Sequence, residues 1–157
     1  MDQPIPPIPW ITNVPTVQEV IDNAAEKTLS WPWLVEDFQR IRLHNDLPLY
    51  PELPDDENLL NTCVGFLQEE IAEMKLAVEE EDLPGIIDGI TDLIYYSIGM
   101  ALQLGVNLEP HFREVHMTNM AKVHNPDAVP GKEKRVTKPE GWMSPRIREI
   151  LDAQWMA

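Results

Sequence analysis

The sequence is short of glycine, with seven in 157 residues, and it holds a single cysteine, Cys63. One cysteine rules out an intrachain disulfide and suits a reducing compartment. No useful stretch alternates apolar and polar residues with period two, so strands are not expected. Nor is there a membrane-length apolar run. The most apolar stretch, Leu93 to Leu102, is about half of the roughly 20 residues a span needs, and Asp92 abuts it. Met1 to Pro9 has neither the basic nor the apolar region of a secretory signal. A soluble, cytoplasmic protein is expected.

Positive charge is the other scarcity: 12 Lys and Arg stand against 27 Asp and Glu, for a net charge of −15. The imbalance is uneven. Residues 1–121 carry 5 basic and 22 acidic residues, whereas 122–157 carry 7 and 5. An acidic body repels nucleic acid and anionic membranes, so neither is expected as a partner. A small phosphate ligand stays admissible, because a bound divalent cation inverts the local field.

What is present reads as helix. Residues 1–15 hold five prolines and read as an N-terminal arm, and 16–157 as a single all-α domain. Thr16-Val-Gln-Glu19 fits a capping box opening a helix to about Lys27. Ser30 suits the cap of a second helix, Trp31 to Asn45, and Leu47 to Pro54 a loop. Asp55 or Asp56 would cap a long helix to about Glu80, whose Leu60, Val64, Leu67, Ile71, Met74 and Val78 form one stripe. After the acidic turn Glu79–Asp82, the helix Gly85 to Leu104 is apolar nearly all round, as befits a central helix or one covered by a second subunit. Gly105 ends it. Asn107 caps a further helix to about Lys122. A basic loop over 125–143 precedes a short helix from Ser144-Pro145 to about Ala153.

The chemistry concentrates in Glu69-Glu70-Ile-Ala-Glu73 and Asp88-Gly-Ile-Thr-Asp92. Glu69 and Glu73 share a helical face, and so do Asp88 and Asp92. The short turn between the two helices predicts an antiparallel hairpin, in which residues nearly equidistant from the turn come level. The two acidic sets would then face each other as up to five oxygen donors. Acid runs on helices are ordinarily solvated faces, and Glu79 to Asp82 is read that way. Paired aspartates in so apolar a helix point instead to a divalent cation, since unpaired buried carboxylates are costly. Oxygen-only ligation selects Mg²⁺, with Mn²⁺ able to substitute.

Asn119 and Lys122 share a face near the end of the following helix, suited to a sugar or phosphate oxygen or simply to solvent. Lys132, Lys134, Arg135 and Lys138 make the loop basic; it would fold over a metal-bound triphosphate or remain a solvated tail. Phe38, Trp33 and Trp142 are candidates to stack on a base, although core packing is the commoner use of such residues. The four histidines lack metal-ligand spacing and read as surface residues, and Cys63 reads as core. No Glu-x-x-His, glycine-rich phosphate loop or nucleophile motif is present.

Glu-Glu-x-x-Glu followed by an apolar helix bearing Asp resembles the MazG-like all-α NTP pyrophosphohydrolases, which include the dimeric dUTPases and phosphoribosyl-ATP pyrophosphohydrolase. Gly-Met-Ala-Leu-Gln-Leu-Gly at 99–105, Glu-Val-His-Met-Thr-Asn-Met-Ala-Lys at 114–122 and Lys-Pro-Glu-Gly-Trp at 138–142 strengthen the likeness. The resemblance implies a helical bundle with a central antiparallel hairpin, completed as a homodimer or homotetramer with shared active sites. It implies Mg²⁺ on Glu69, Glu70, Glu73 and Asp92, and hydrolysis of a nucleoside triphosphate to monophosphate and diphosphate. Where many members have Glu three residues before the second-helix Asp, this chain has Gly89, with Asp88 one residue earlier; the shift turns the carboxylate by about 100°, so that Asp88 either plays that part with altered geometry or does not play it. Asp-x-x-x-Asp with a trailing Asn-Met-x-Lys resembles bacteriophage copies, among them the MazZ type, and implies a guanine nucleotide and a host cytoplasm.

In the chemistry so implied, metal lowers the pKa of a bound water and Glu69 or Glu70 takes its proton. Asn119, Lys122, Lys132, Lys138, Phe38 and Trp142 are the candidate substrate contacts. The alternatives are a dUTP or dCTP house-cleaning enzyme, hydrolysis of a non-nucleotide pyrophosphate, and a non-catalytic helical module binding a protein partner.

Overall fold

The computed structural model describes residues 31–129 and 131–156. The proline-rich arm, the capping-box helix and Ser30 lie outside the described residues. Within them the chain is helical: α1 (Trp31–Ile41), α2 (Glu57–Glu79), α3 (Leu83–Gln103), α4 (Leu108–Met120) and α5 (Ile147–Trp155). One element runs against the expectation of no strands. β1 (Val123–His124) pairs antiparallel with β2 (Val136–Thr137), a ladder too short to carry a periodic signal.

The long hairpin forms as its pattern requires. Asp56 caps α2, its side chain accepting from the Asn58 N–H, and Glu80 and Glu81 make the turn, Glu81 at φ 56°. The third helix begins two residues earlier than expected. Asp82 takes the cap position and Pro84 sits in the first turn, where a missing N–H costs nothing. Small residues set the spacing between the two helices. A Cβ added at Gly85 would stand 3.0 Å from Ala77 Cβ, and one at Gly89 would stand 2.9 Å from Met74 Cβ. The backbones therefore meet on one side of the hairpin, and neither glycine tolerates a side chain without displacement.

Farther along α3, α1 lays Val35 and Gln39 across Gly99. Here α1 stops at Ile41 instead of continuing to Asn45. Gln39 explains the early stop, because its backbone carbonyl and Oε1 both accept from Asn45, at 3.1 and 2.7 Å, and fold the chain back. Gln103 Nε2 donates to the same Oε1 at 3.3 Å, so one amide joins α1, α3 and the loop. Gly105 ends α3 at φ 66°, where a Cβ would strike the Tyr50 carbonyl; glycine is needed for conformation and for space.

The fourth helix starts on Asn107 as expected, the cap side chain accepting from the Glu109 N–H. The last helix starts later than Ser144-Pro145. Its cap is Arg146, which is held by Glu114 of α4: Nε and Nη2 bond the two carboxylate oxygens at 2.8 and 2.9 Å, and the backbone N–H adds a third bond. Gln154 caps back onto Asn107, and Trp155 leans on Tyr50 with ring centroids 6.2 Å apart. These contacts tie α5 back to α4 and to Tyr50, while Lys132, Lys134, Arg135 and Lys138 in the loop before it are exposed.

The interior of a single chain is thin. Val35 is the largest enclosed side chain, and Cys63, Ala77, Ala101 and Ala128 are the other buried apolar residues among those described. Cys63 is core as expected, and burial pushes its thiol up. His111, expected at the surface, is only 7% exposed; its Nε2 is the one buried side-chain N or O atom without a partner among the described residues. No helix of the described residues is long and apolar enough to cross a membrane.

Candidate active site

The acidic face follows from the hairpin's register. Glu70 and Asp92 are equidistant from Glu81, as are Phe66 and Tyr96 one turn farther out. The Phe66 and Tyr96 rings stack with centroids 5.4 Å apart, which confirms that spacing. Glu70 consequently lies across from Asp92, with Glu69, Glu73 and Asp88 around it. Burial raises the Glu70 carboxyl above its ordinary value, and the negative charges of Asp92, Glu73, Asp88 and Glu69 raise it further, in that order. Among the described residues no Lys or Arg makes an ion pair with any of the five.

Two details differ from the sequence reading. Asp88 is exposed and Asp92 half-buried, so the apolar character of α3 does not enclose them both. Glu70, on the opposite helix, is the carboxyl whose proton affinity burial raises. Gly89 turns toward α2, where an added Cβ would meet Met74, so a side chain there would force the two helices to shift. Asp88, one position back, lies within the field of Glu70.

The donors are all carboxylate oxygens, a set that fits a hard divalent cation such as Mg²⁺ or Mn²⁺ and disfavours softer metals. Among the described residues no three His, Cys, Asp or Glu side chains stand close enough to hold an ion. The five share one face and one field, but they are not drawn together on a point.

Tyr96 is the member of this face that sequence reasoning missed. Burial raises its hydroxyl above the usual value, with Glu70, Asp92, Glu69 and Glu73 contributing. Its signal was available: Asp88, Asp92 and Tyr96 recur every four residues along α3, as Phe66 and Glu70 do on α2.

A second cluster gathers at the end of α4. Lys122 Nζ donates to Asn119 Oδ1 at 2.7 Å, and the ammonium groups of Lys122 and Lys138 lie 5.7 and 4.2 Å from the centroid of the Trp142 ring. The Trp142 Nε1–H donates to the Thr118 carbonyl at 2.9 Å. Four of the six expected substrate contacts are therefore together. The other two are apart from them: Lys132 stands exposed in the loop, and Phe38 packs edge-on against Tyr95 at 5.7 Å. Among the described residues no hydrogen bond, ion pair or ring contact links the lysine cluster to the acidic face.

A family model described as phosphoribosyl-ATP pyrophosphohydrolase matches residues 35–119, more than half of the chain. The chain belongs to the phosphoribosyl-ATP pyrophosphohydrolase family. The matched span runs from Val35 in α1 to Asn119 in α4 and includes all five carboxylates. It stops short of Lys122, Lys138 and Trp142. The family is all-α, it is part of the MazG-like superfamily, and its activity is hydrolysis of a nucleotide phosphoanhydride. Its members typically depend on a divalent metal. A comparison with curated proteins gives no match.

Proposed function

We propose that the chain hydrolyses a nucleoside triphosphate to the monophosphate and diphosphate, with Mg²⁺ held by Glu69, Glu70, Glu73, Asp88 and Asp92. The observation that carries this is the acidic face inside the span matched to the pyrophosphohydrolase family, where Glu70 sits level with Asp92 amid three further carboxylates. A bound metal would neutralise phosphate charge and lower the pKa of a water. Glu69 or Glu70 would take the proton of that water, both lying on the α2 side of the acidic face. Phosphoryl transfer needs alignment and charge compensation more than a covalent partner, so the lack of a nucleophile motif is no obstacle. Asn119, Lys122 and Lys138 supply positive charge and hydrogen bonds to the phosphates.

The substrate we favour is a guanine nucleotide, dGTP or GTP, on the likeness to bacteriophage copies described above, and the site of action is the cytoplasm, that of the host for a phage-encoded copy. The working form is a homodimer or homotetramer. Val64, Ile71 and Val78 of α2 and Leu83, Ile87, Ile90 and Ile94 of α3 are all exposed, recurring at the seven-residue spacing by which helices pack on further helices. Light scattering at micromolar concentration should give a multiple of the 18.0 kDa chain mass.

The deciding experiment incubates the protein with each common NTP and dNTP plus Mg²⁺ and identifies the products. Monophosphate with diphosphate supports the reading, and dGTP or GTP should be turned over fastest. Diphosphate released only from phosphoribosyl-ATP would move the substrate to the one named in the family's description. No turnover of any nucleotide would defeat the reading.

A further inference from the structure

Two ammonium groups at one indole ring need a reason, because like charges brought together repel. The ladder supplies the geometry. Val123 pairs with Thr137 and His124 with Val136, so one step beyond, in the same register, Lys122 comes level with Lys138. The turn Pro139–Trp142 closes with the Trp142 N–H on the Pro139 carbonyl and Gly141 at φ 76°, a backbone angle its third position needs. That turn returns the indole onto the two lysines, both within the roughly 6 Å over which a ring attracts a cation. Among the described residues neither lysine forms an ion pair, in a chain with 27 acidic residues.

We propose that Trp142 is a positioning residue that holds Lys122 and Lys138 together as a grip for a diphosphate group, the end of the triphosphate that departs as pyrophosphate. The inference rests on the triphosphate reading above. It gives the Trp142 ring a partner other than a nucleotide base. Lysine side chains lose rotamer freedom when an anion pins them. The ring and Asn119 have restrained these two beforehand, so less is lost on binding. Location agrees: residues 122–157 carry 7 basic residues against 5 acidic, while the rest of the chain repels a polyanion. A diphosphate bears more charge than a nucleoside monophosphate and gains more from a paired cation.

The test measures binding of inorganic pyrophosphate to the full chain by calorimetry, in the wild type and two variants. Trp142→Leu keeps apolar bulk without a ring; Trp142→Phe keeps a ring but loses the N–H that anchors it to Thr118. Trp142→Leu should weaken pyrophosphate binding about tenfold and Trp142→Phe about threefold or less, while nucleoside monophosphate affinity stays unchanged in both. Combining Trp142→Leu with Lys138→Met should weaken binding little beyond Lys138→Met alone, the mark of residues acting through one another. Lys138→Met leaves the indole in place, so it keeps the test decisive if Trp142→Leu does not fold; it too must lose pyrophosphate affinity. Equal losses in the Leu and Phe variants would reduce Trp142 to a loop anchor and overturn the proposal. So would undiminished binding in Trp142→Leu, no pyrophosphate binding by the wild type, or equal loss of monophosphate binding. Failure of the triphosphate reading looks different: no nucleotide is hydrolysed, yet pyrophosphate affinity still falls with Trp142→Leu.

Discussion

The hairpin of α2 and α3 gathers charge of one sign, and the segment after α4 gathers charge of the other, but they are built differently. In the hairpin, repeated packing sets a register along two long helices, with Ala77 against Gly85 and Met74 against Gly89. Five carboxylates ride on that register, although their mutual repulsion opposes it. After α4 there is little repetition. Single directional contacts place each element: Trp142 on Thr118, Arg146 on Glu114, Gln154 on Asn107, Trp155 on Tyr50. Repetition supports a cluster that is costly to assemble, whereas point contacts position individual groups at little cost but with little redundancy.

The comparison breaks most sharply at the carboxylates. Glu70→Gln or Asp92→Asn should lower kcat/KM by about a thousandfold or more while leaving a folded protein. Melting curves add a second check: millimolar Mg²⁺ should raise the Tm of the wild type, as a ligand of the native state does, and should not raise that of either variant. Equal melting gains in all three would remove the metal from these residues.

Lys122→Ala should come next, with kcat/KM reduced roughly tenfold to a thousandfold, about 1.4 to 4 kcal/mol of transition-state stabilisation. Its Tm should barely move, because the contacts of Lys122 with Asn119 and Trp142 lie at the surface and contribute little. Full activity in this variant would leave the carboxylates to work alone.

Packing effects are smaller and sharpen the hairpin side. Gly89→Ala puts a Cβ 2.9 Å from that of Met74, and overpacking of this kind costs about 1–3 kcal/mol, of which alanine's helix preference returns about 1. A net loss of about 1 kcal/mol is expected in urea unfolding. Gly65→Ala, on α2, meets nothing within 4 Å and should gain about 0.5–1 kcal/mol. If both alanines stabilise, close approach at Gly89 is not what spaces the helices.

The smallest effect belongs to the other region and depends on pH. Arg146 holds the Glu114 carboxyl down at about 2, chiefly through its side-chain hydrogen bonds, then its backbone N–H and its charge. A folded-state value below the unfolded one stabilises the fold fully above the ordinary glutamate range, near pH 4.5, and that contribution fades as pH falls toward 2. The gap in urea midpoint between wild type and Glu114→Gln should therefore shrink across that window and be constant above it. A gap independent of pH would show that Glu114 acts through shape alone.

These regions also differ in how far the sequence discloses them. The stripe from Leu60 to Val78, the caps Asp56 and Asn107 and the breaker Gly105 act locally, so the hairpin and the pairing of Glu70 with Asp92 can be read from spacing. What escapes depends on distant partners. The end of α1 at Ile41 is decided by Gln39 meeting Asn45, the start of α5 by Arg146 reaching Glu114, and β1 and β2 by two residues each. The Lys122, Lys138 and Trp142 cluster was legible as ingredients, not as an assembly, because the ladder that aligns it is too short to signal. Burial of His111 likewise has no local mark.

The turn at Glu80 and Glu81 also bears on the order of folding. The hairpin's contacts are close in sequence, so its loop closes at little entropic cost and it is suited to form early. That early step is also the one that brings Glu70 up to Asp92. Electrostatic repulsion is consequently met during folding and not only in the finished site, so screening by salt, or a divalent cation in the medium, should quicken the folding step itself.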